Sequence, residues 1–271
     1  LNVVAGDWLG MGGSSRPSQH RPHVSAFRRC NSAKDPVDFF VDSLHTALCA
    51  LGLKKFVLLG HSLGGFLCAR YAMKHPDALQ GLVLASPAGL PEHPVLQERI
   101  PAGELSFARR LLDLAWSANL TPQQLVRTLG PRGYPLVESI VRARFGNRWD
   151  DLETKLIADY LYHITCAPGS GEYAMNSILQ PVFARNGTGV YAREPLAGRL
   201  YTLPDVPLLL MFGDDDWLWH PSVDSLCARM KADGRRVQLA RLPAAGHHLY
   251  LDNYADFNRI THNFAVQCGA L

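Results

Sequence analysis

The chain has 271 residues, 47% hydrophobic and 19% charged, with 27 Lys and Arg against 24 Asp and Glu and a net charge of +3. This is globular composition and excludes a disordered chain, and so small a basic excess gives no footing for nucleic acid as a partner. The longest strongly apolar run, residues 206–212, contains Pro207 and is far short of the about 20 residues of a membrane-spanning helix.

Residues 1–5 predict a strand, followed by a loop rich in glycine and serine from Gly6 to Pro17. Asp35-Pro36 offers an N-cap with proline at the first helical position. Val37, Phe40, Val41, Leu44, Ala47, Leu48 and Leu51 then recur at helical spacing until Gly52. Residues 56–59 predict a short, doubly covered strand and 62–74 a helix stopped before Pro76. Residues 81–85 predict a further strand ending at Ser86-Pro87. Strand alternating with helix predicts a parallel sheet with helices on its faces.

That rhythm breaks at about Leu90, and a long helical insertion without strands is expected. In it Leu105, Ala108, Leu112, Ala115 and Trp116 share a face. Thr121-Pro122-Gln123-Gln124 reads as a capping box, and Gly130-Pro131 ends that helix. The rhythm resumes with a strand at 206–212, a helix at 222–231, a strand at 237–242 and a last helix from about Asp256. The expected organisation is therefore a core in two parts, 1–90 and 204–271, around a helical cap at 91–203.

Six cysteines (Cys30, Cys49, Cys68, Cys166, Cys227 and Cys268) stand far apart without a C-x-x-C pair. This argues against a zinc site and a disulfide scaffold and fits a reducing, cytoplasmic compartment. The N-x-[ST] triplets at Asn119 and Asn186 are read as unused. The chain opens inside an apolar run with neither an initiator Met nor a signal segment, so residues upstream are expected.

Gly60-His61-Ser62-Leu63-Gly64 matches G-x-S-x-G between a predicted strand and helix. There a tight turn holds a serine hydroxyl clear of the sheet, and the Leu63 N–H at the helix start can face a developing oxyanion. A nucleophilic serine needs a histidine to take its proton and an acid to orient that histidine, in the chain order Ser, acid, His for this kind of sheet. The strand at 206–212 runs into Gly213-Asp214-Asp215-Asp216, and the next strand is followed by Gly246-His247-His248. The catalytic set read from this order is Ser62, Asp216 and His247. Asp215 and Asp214 are alternative acids, and His61 and His248 are neighbours that could be confused with the base.

With these motifs the chain resembles the lipid-acting branch of the α/β hydrolases. That branch includes N-acyl-phosphatidylethanolamine lysophospholipases, lysophosphatidic acid acyltransferases and the lipid-droplet co-activator of triglyceride lipase. The resemblance runs nearly end to end, through Asp7-Trp8-Leu9-Gly10-Met11-Gly12, the serine elbow, Gly130-Pro131-Arg132-Gly133-Tyr134, Ser170-Gly171-Glu172-Tyr173-Ala174 and Gly246-His247-His248-Leu249-Tyr250-Leu251-Asp252. It implies an α/β-hydrolase fold, a mostly parallel sheet with a helical cap insertion. The family's first strands and its second oxyanion donor would be missing from this chain, leaving a sheet edge exposed.

It also implies hydrolysis of phospholipid or lysophospholipid esters with no metal and no cofactor, at a membrane or lipid-droplet surface. A cytoplasmic protein peripheral to lipid droplets, endoplasmic reticulum or mitochondria would fit. His247 and Asp252 form the H-x-x-x-x-D pattern that in this family accompanies acyl transfer to lysophosphatidic acid, with acyl-CoA as co-substrate. Asp252 could instead cap the last helix. The co-activator members lack the serine that stands here as Ser62, which favours a hydrolase over a non-catalytic lipid-surface regulator. The elbow is shared with peptidases and small-ester hydrolases.

Overall fold

Four strands pair as a parallel sheet in the computed structural model, which describes residues 2–17, 34–93, 99–145, 148–185 and 189–270. In chain order the elements are α1 (Lys34–Ala50), β1 (Phe56–His61), α2 (Leu63–Lys74), β2 (Leu79–Ala85), α3 (Phe107–Ser117), α4 (Pro122–Leu129), α5 (Tyr134–Phe145), α6 (Asp151–Cys166), α7 (Met175–Ile178), β3 (Leu179–Val182), β4 (Gly189–Ala192), α8 (Leu196–Tyr201), β5 (Leu208–Gly213), α9 (Ser222–Ala232), β6 (Val237–Leu242), α10 (Leu249–Asp252) and α11 (Tyr254–Gln267). The sheet order is β1-β2-β5-β6, and every neighbouring pair is parallel.

The two central strands, β2 and β5, are buried on both faces, which is why they read as apolar runs rather than alternating ones, whereas the outer strands β1 and β6 are only half-buried. On one face Val83, Ala85, Leu209 and Met211 join Leu242, Ala245, Leu249, Phe257 and Phe264 in one cluster. The residues between them along the strands, Leu82, Leu84, Leu208, Leu210 and Phe212, point the other way and are equally buried. Helix α2 buries Phe66, Leu67, Cys68, Ala69, Tyr71 and Ala72, so it is a core element rather than a surface one.

The chain divides into two compact units, one of residues 1–3, 37–100 and 179–271, the other of 4–36 and 101–178. The second has a small core of Val126, Val137, Val141 and Ala158, flanked by Phe145, Ile157, Leu161 and Tyr162. Two segments far apart in sequence join within it. Gly10 (φ +84°) accepts from the Gly171 N–H at 3.2 Å. Arg16 donates to the carbonyls of Gly10, Gly12, Ile164 and Pro168. A β-carbon on Gly10 would fall 2.9 Å from Ser170 Oγ, so the close approach needs glycine there. Asn119 is buried with its Nδ2 donating to the Tyr173 carbonyl at 3.0 Å, which leaves that nitrogen no room for a glycan. Asn186, Cys30 and Leu1 lie outside the described residues, and the five described cysteines are free.

Four expectations need correction. Residues 2–5 form no strand, because a strand needs a ladder partner and none of the described residues pairs with them. The helical insertion contains a hairpin, with β3 and β4 antiparallel and Leu179 opposite Ala192. Its strands are only four residues long and one contains Pro181. The apolar face expected along α3 is present in spacing but not in burial, for no side chain of that helix is fully buried. Thr121 does cap α4, accepting from Gln124 N–H at 3.0 Å, but the reciprocal capping box lies at Asp150 and Glu153, opening α6.

Candidate active site

Three strand ends of the sheet-bearing unit deliver the site. After β1 the backbone turns into α2 at Ser62, whose φ of 54° and ψ of −121° lie where side chains rarely go. The turn is tight because β1 and α2 nearly touch: a β-carbon on Gly60 would collide with the Gly64 carbonyl and Cys68 Sγ. The strained serine is held by its own backbone. Its N–H donates to the Ala85 carbonyl at 3.0 Å, and its carbonyl accepts from Ala88 and Phe66 N–H at 2.9 and 3.1 Å. Leu63 is the first residue of α2, so its N–H has no carbonyl one turn back to donate to.

The ladder bonding continues past the strand ends and fixes the three loops against one another. Ser86 N–H donates to Met211, Asp214 N–H to Leu242 and Asp215 N–H to Ala245. On this frame His247 Nε2 stands 3.0 Å from Ser62 Oγ, and His247 Nδ1 stands 3.2 Å from Asp216 Oδ1. The same carboxylate oxygen accepts from Leu218 N–H at 2.9 Å. Ser62, Asp216 and His247, distant in sequence, thus form one hydrogen-bonded line.

Both partners of the His247–Asp216 hydrogen bond are buried, Asp216 5% and His247 9% exposed. Burial pushes the Asp216 carboxyl pKa up, but the hydrogen bond from His247, the nearby Ser86 hydroxyl and the Leu218 N–H together outweigh it and leave the pKa below the ordinary value. Ser86 contributes without reaching full hydrogen-bond geometry, since neither its hydroxyl nor Asp216 Oδ2 has a bonded partner. An ionised acid on Nδ1 keeps that nitrogen protonated and leaves Nε2 as the acceptor facing Ser62.

The other carboxylates of the Asp214–Asp216 run are elsewhere. Asp214 is exposed and paired with Arg241 Nε at 3.3 Å, and Asp215 is exposed. Asp252 does not cap the last helix. Asn253 does so by accepting from Asp256 N–H at 3.2 Å, while Asp252 Oδ2 accepts from Gly246 N–H at 2.7 Å. His61 Nε2 donates to the main-chain carbonyl of His247 at 2.8 Å. His248 and Trp217 flank the His247 ring, with centroids at 5.4 and 5.1 Å.

Ser86 and Leu218 escaped the sequence reading. The signal for Ser86 was its place at the end of β2, which the sheet order sets between β1 and β5.

A profile of the alpha/beta hydrolase fold matches residues 1–254. The 1-acylglycerol-3-phosphate O-acyltransferase of Arabidopsis thaliana is 34% identical over 264 residues, 95% of this chain and 58% of that protein. The (lyso)-N-acylphosphatidylethanolamine lipase of Homo sapiens is 30% identical over 256 residues, 94% of this chain and 68% of that protein. The chain therefore spans 58% of the plant relative's length. Among solved structures, a thermophilic esterase from Thermogutta terrifontis superposes with a TM-score of 0.57 at 17% identity, covering 97% of this chain and 78% of that one. That likeness is one of fold.

Proposed function

The chain belongs to the alpha/beta hydrolase family, and on that footing we propose that it is a serine hydrolase cleaving acyl esters of phospholipids or lysophospholipids. The observation that carries this reading is the unbroken line from Ser62 Oγ through His247 to the ionised Asp216. The Ser62 oxygen adds to the ester carbonyl carbon as its proton passes to His247 Nε2. The carbonyl electron pair moves onto oxygen, and the oxyanion so formed accepts a hydrogen bond from the Leu63 N–H. Collapse breaks the bond to the alcohol, which leaves with the proton from His247. Water, deprotonated by the same imidazole, then releases the fatty acid from Ser62. Asp216 stays ionised throughout, and no metal or cofactor takes part in this scheme.

The lipase name of the human relative supports a lipid as the acyl donor, and the acyltransferase name of the plant relative supports a lipid in the site as acyl acceptor. A peripheral encounter with a membrane or droplet surface is supported by Phe107, Leu111 and Leu114, which lie exposed along α3 beside Arg109 and Arg110. No helix among the described residues is long and apolar enough to cross a membrane.

A second reading, acyl-CoA-dependent acylation of lysophosphatidic acid with His247 and Asp252 as its pair, is favoured by the name of the Arabidopsis relative. A fluorophosphonate probe tests the first reading: labelling and lysophospholipid hydrolysis are both expected to vanish in Ser62→Ala. Hydrolysis that survives this substitution would overturn it.

A further inference from the structure

His247 sits in a loop rather than in a regular element, between β6 and the four-residue α10. An imidazole that must pass a proton between two fixed oxygens needs its own backbone fixed as well, since a displacement of about 1 Å in such a group can cost about 100-fold in rate. Two side chains grip that backbone from opposite sides. Before the histidine, Asp252 Oδ2 accepts the Gly246 N–H at 2.7 Å. After it, His61 Nε2 donates to the His247 carbonyl at 2.8 Å.

Asp252 reaches back because α10 is a single turn. The N–H groups of Leu251 and Asp252 both donate to the His248 carbonyl, at 2.8 and 3.0 Å, and this curls residue 252 beneath residue 246. His61 is placed by β1, directly before Ser62, and packs edge-on against Tyr250 at 5.0 Å. It therefore ties the nucleophile's strand to the histidine's loop, and its ring also lies against the His247 imidazole, with centroids 4.7 Å apart.

We propose that Asp252 and His61 are positioning residues that clamp the main chain on either side of His247. The carboxylate five positions after the histidine then acts as a hydrogen-bond acceptor for the loop rather than as a base on a substrate hydroxyl. This inference rests on the serine-hydrolase reading in taking His247 as the base, and it assigns the second half of H-x-x-x-x-D to that same machinery.

An acceptor and a base respond differently to amidation. Asparagine keeps a side-chain oxygen for the Gly246 N–H but cannot take a proton. The test compares Asp252→Ala, Asp252→Asn, His61→Ala and His61→Gln in the full chain. Three quantities are read: kcat and KM for lysophospholipid hydrolysis, acyl-CoA-dependent acylation of lysophosphatidic acid, and the downfield proton resonance of His247 Nδ1–H.

Asp252→Ala is expected to lower kcat by up to about 100-fold with KM held, to lower any transfer activity by the same factor, and to shift or broaden the imidazole proton. Asp252→Asn should recover most of each loss, as His61→Gln, which keeps an N–H donor, should relative to His61→Ala. Three results would overturn the proposal: an Asn variant as impaired as the Ala variant, a loss confined to transfer, or an imidazole proton unmoved in Asp252→Ala. The resonance is read without turnover. If Ser62→Ala were to keep hydrolysis, the function would be reassigned while the clamp is still decided by the proton and its rescue.

Discussion

Arg127 meets Glu172 fork to fork, its Nη1 3.1 Å from Oε2 and its Nη2 on Oε1, joining the last turn of α4 to the segment after α6. Thr121 donates to the same carboxylate at 3.0 Å, and the Thr165 carbonyl accepts from Arg127 Nη1 at 3.1 Å. Both oxygens of Glu172 and both terminal nitrogens of Arg127 have partners, a condition under which such an ion pair holds a fold together.

Removing Glu172 leaves Arg127 charged in a half-buried place without its counter-ion. Glu172→Ala is expected to destabilise the chain by about 3–5 kcal/mol, read as a lower urea midpoint. Replacing both by apolar residues of similar volume, Arg127→Met with Glu172→Leu, should cost less than Glu172→Ala alone. A double variant weaker than the single would show that the contact is not an isolated pair.

The aspartates separate by environment. Asp216→Asn is expected to lower kcat by about 10,000-fold, because the amide no longer holds His247 with Nδ1 protonated. Asp214→Asn should leave kcat within about twofold, since only an exposed pair with Arg241 is lost. Steady-state kinetics on the two variants decides the matter, and equal losses would reassign the acid.

Asp216 also gives stability a pH dependence with a definite sign. Its folded pKa lies below its unfolded value, so the contribution is fully present above the unfolded carboxylate range, near about 3.9, and is lost as pH falls through the folded value. The difference in melting temperature between the wild type and Asp216→Asn should be constant above about pH 5 and narrow below about pH 4. A gap that widens on acidification would contradict the assigned direction.

The strain at Ser62 predicts that activity and stability trade against each other. A φ of 54° suits glycine, and relief of such strain is worth about 1–3 kcal/mol against the entropy cost of glycine of about 0.5–1 kcal/mol. Ser62→Gly should therefore be inactive and yet melt above Ser62→Ala, which keeps the β-carbon. Equal melting temperatures would mean that the backbone has relaxed in both.

The hydrogen-bonded line of Ser62, His247 and Asp216 was legible in the sequence because each of its members follows a strand. A strand end is marked twice over, by the apolar run before it and by the glycine or proline punctuation after it. The grip of His61 and Asp252 on the histidine loop was not legible, since it depends on which loop lies beside which in space. The same holds for Ser86, a serine after a strand like many others until the sheet order sets β2 between β1 and β5. The β3–β4 hairpin was hidden by its brevity and by Pro181. On α3 the spacing of Ala108 and Leu112 marks a face but carries no record of what covers it. Residues 2–5 are apolar enough for a strand, yet a strand exists only with a neighbour.

The junction of Gly10 with Gly171 bears on how members of this family can be recombined. The helical unit is assembled from 4–36 and 101–178, so the chain enters and leaves it twice. A chimera that exchanges 101–178 alone would bring in a new Ser170-Gly171 segment against an old Gly10 loop and Arg16 side chain. The two pieces must be transplanted together, with four splice points instead of two, if the helical unit is to move from one relative to another without loss of folding.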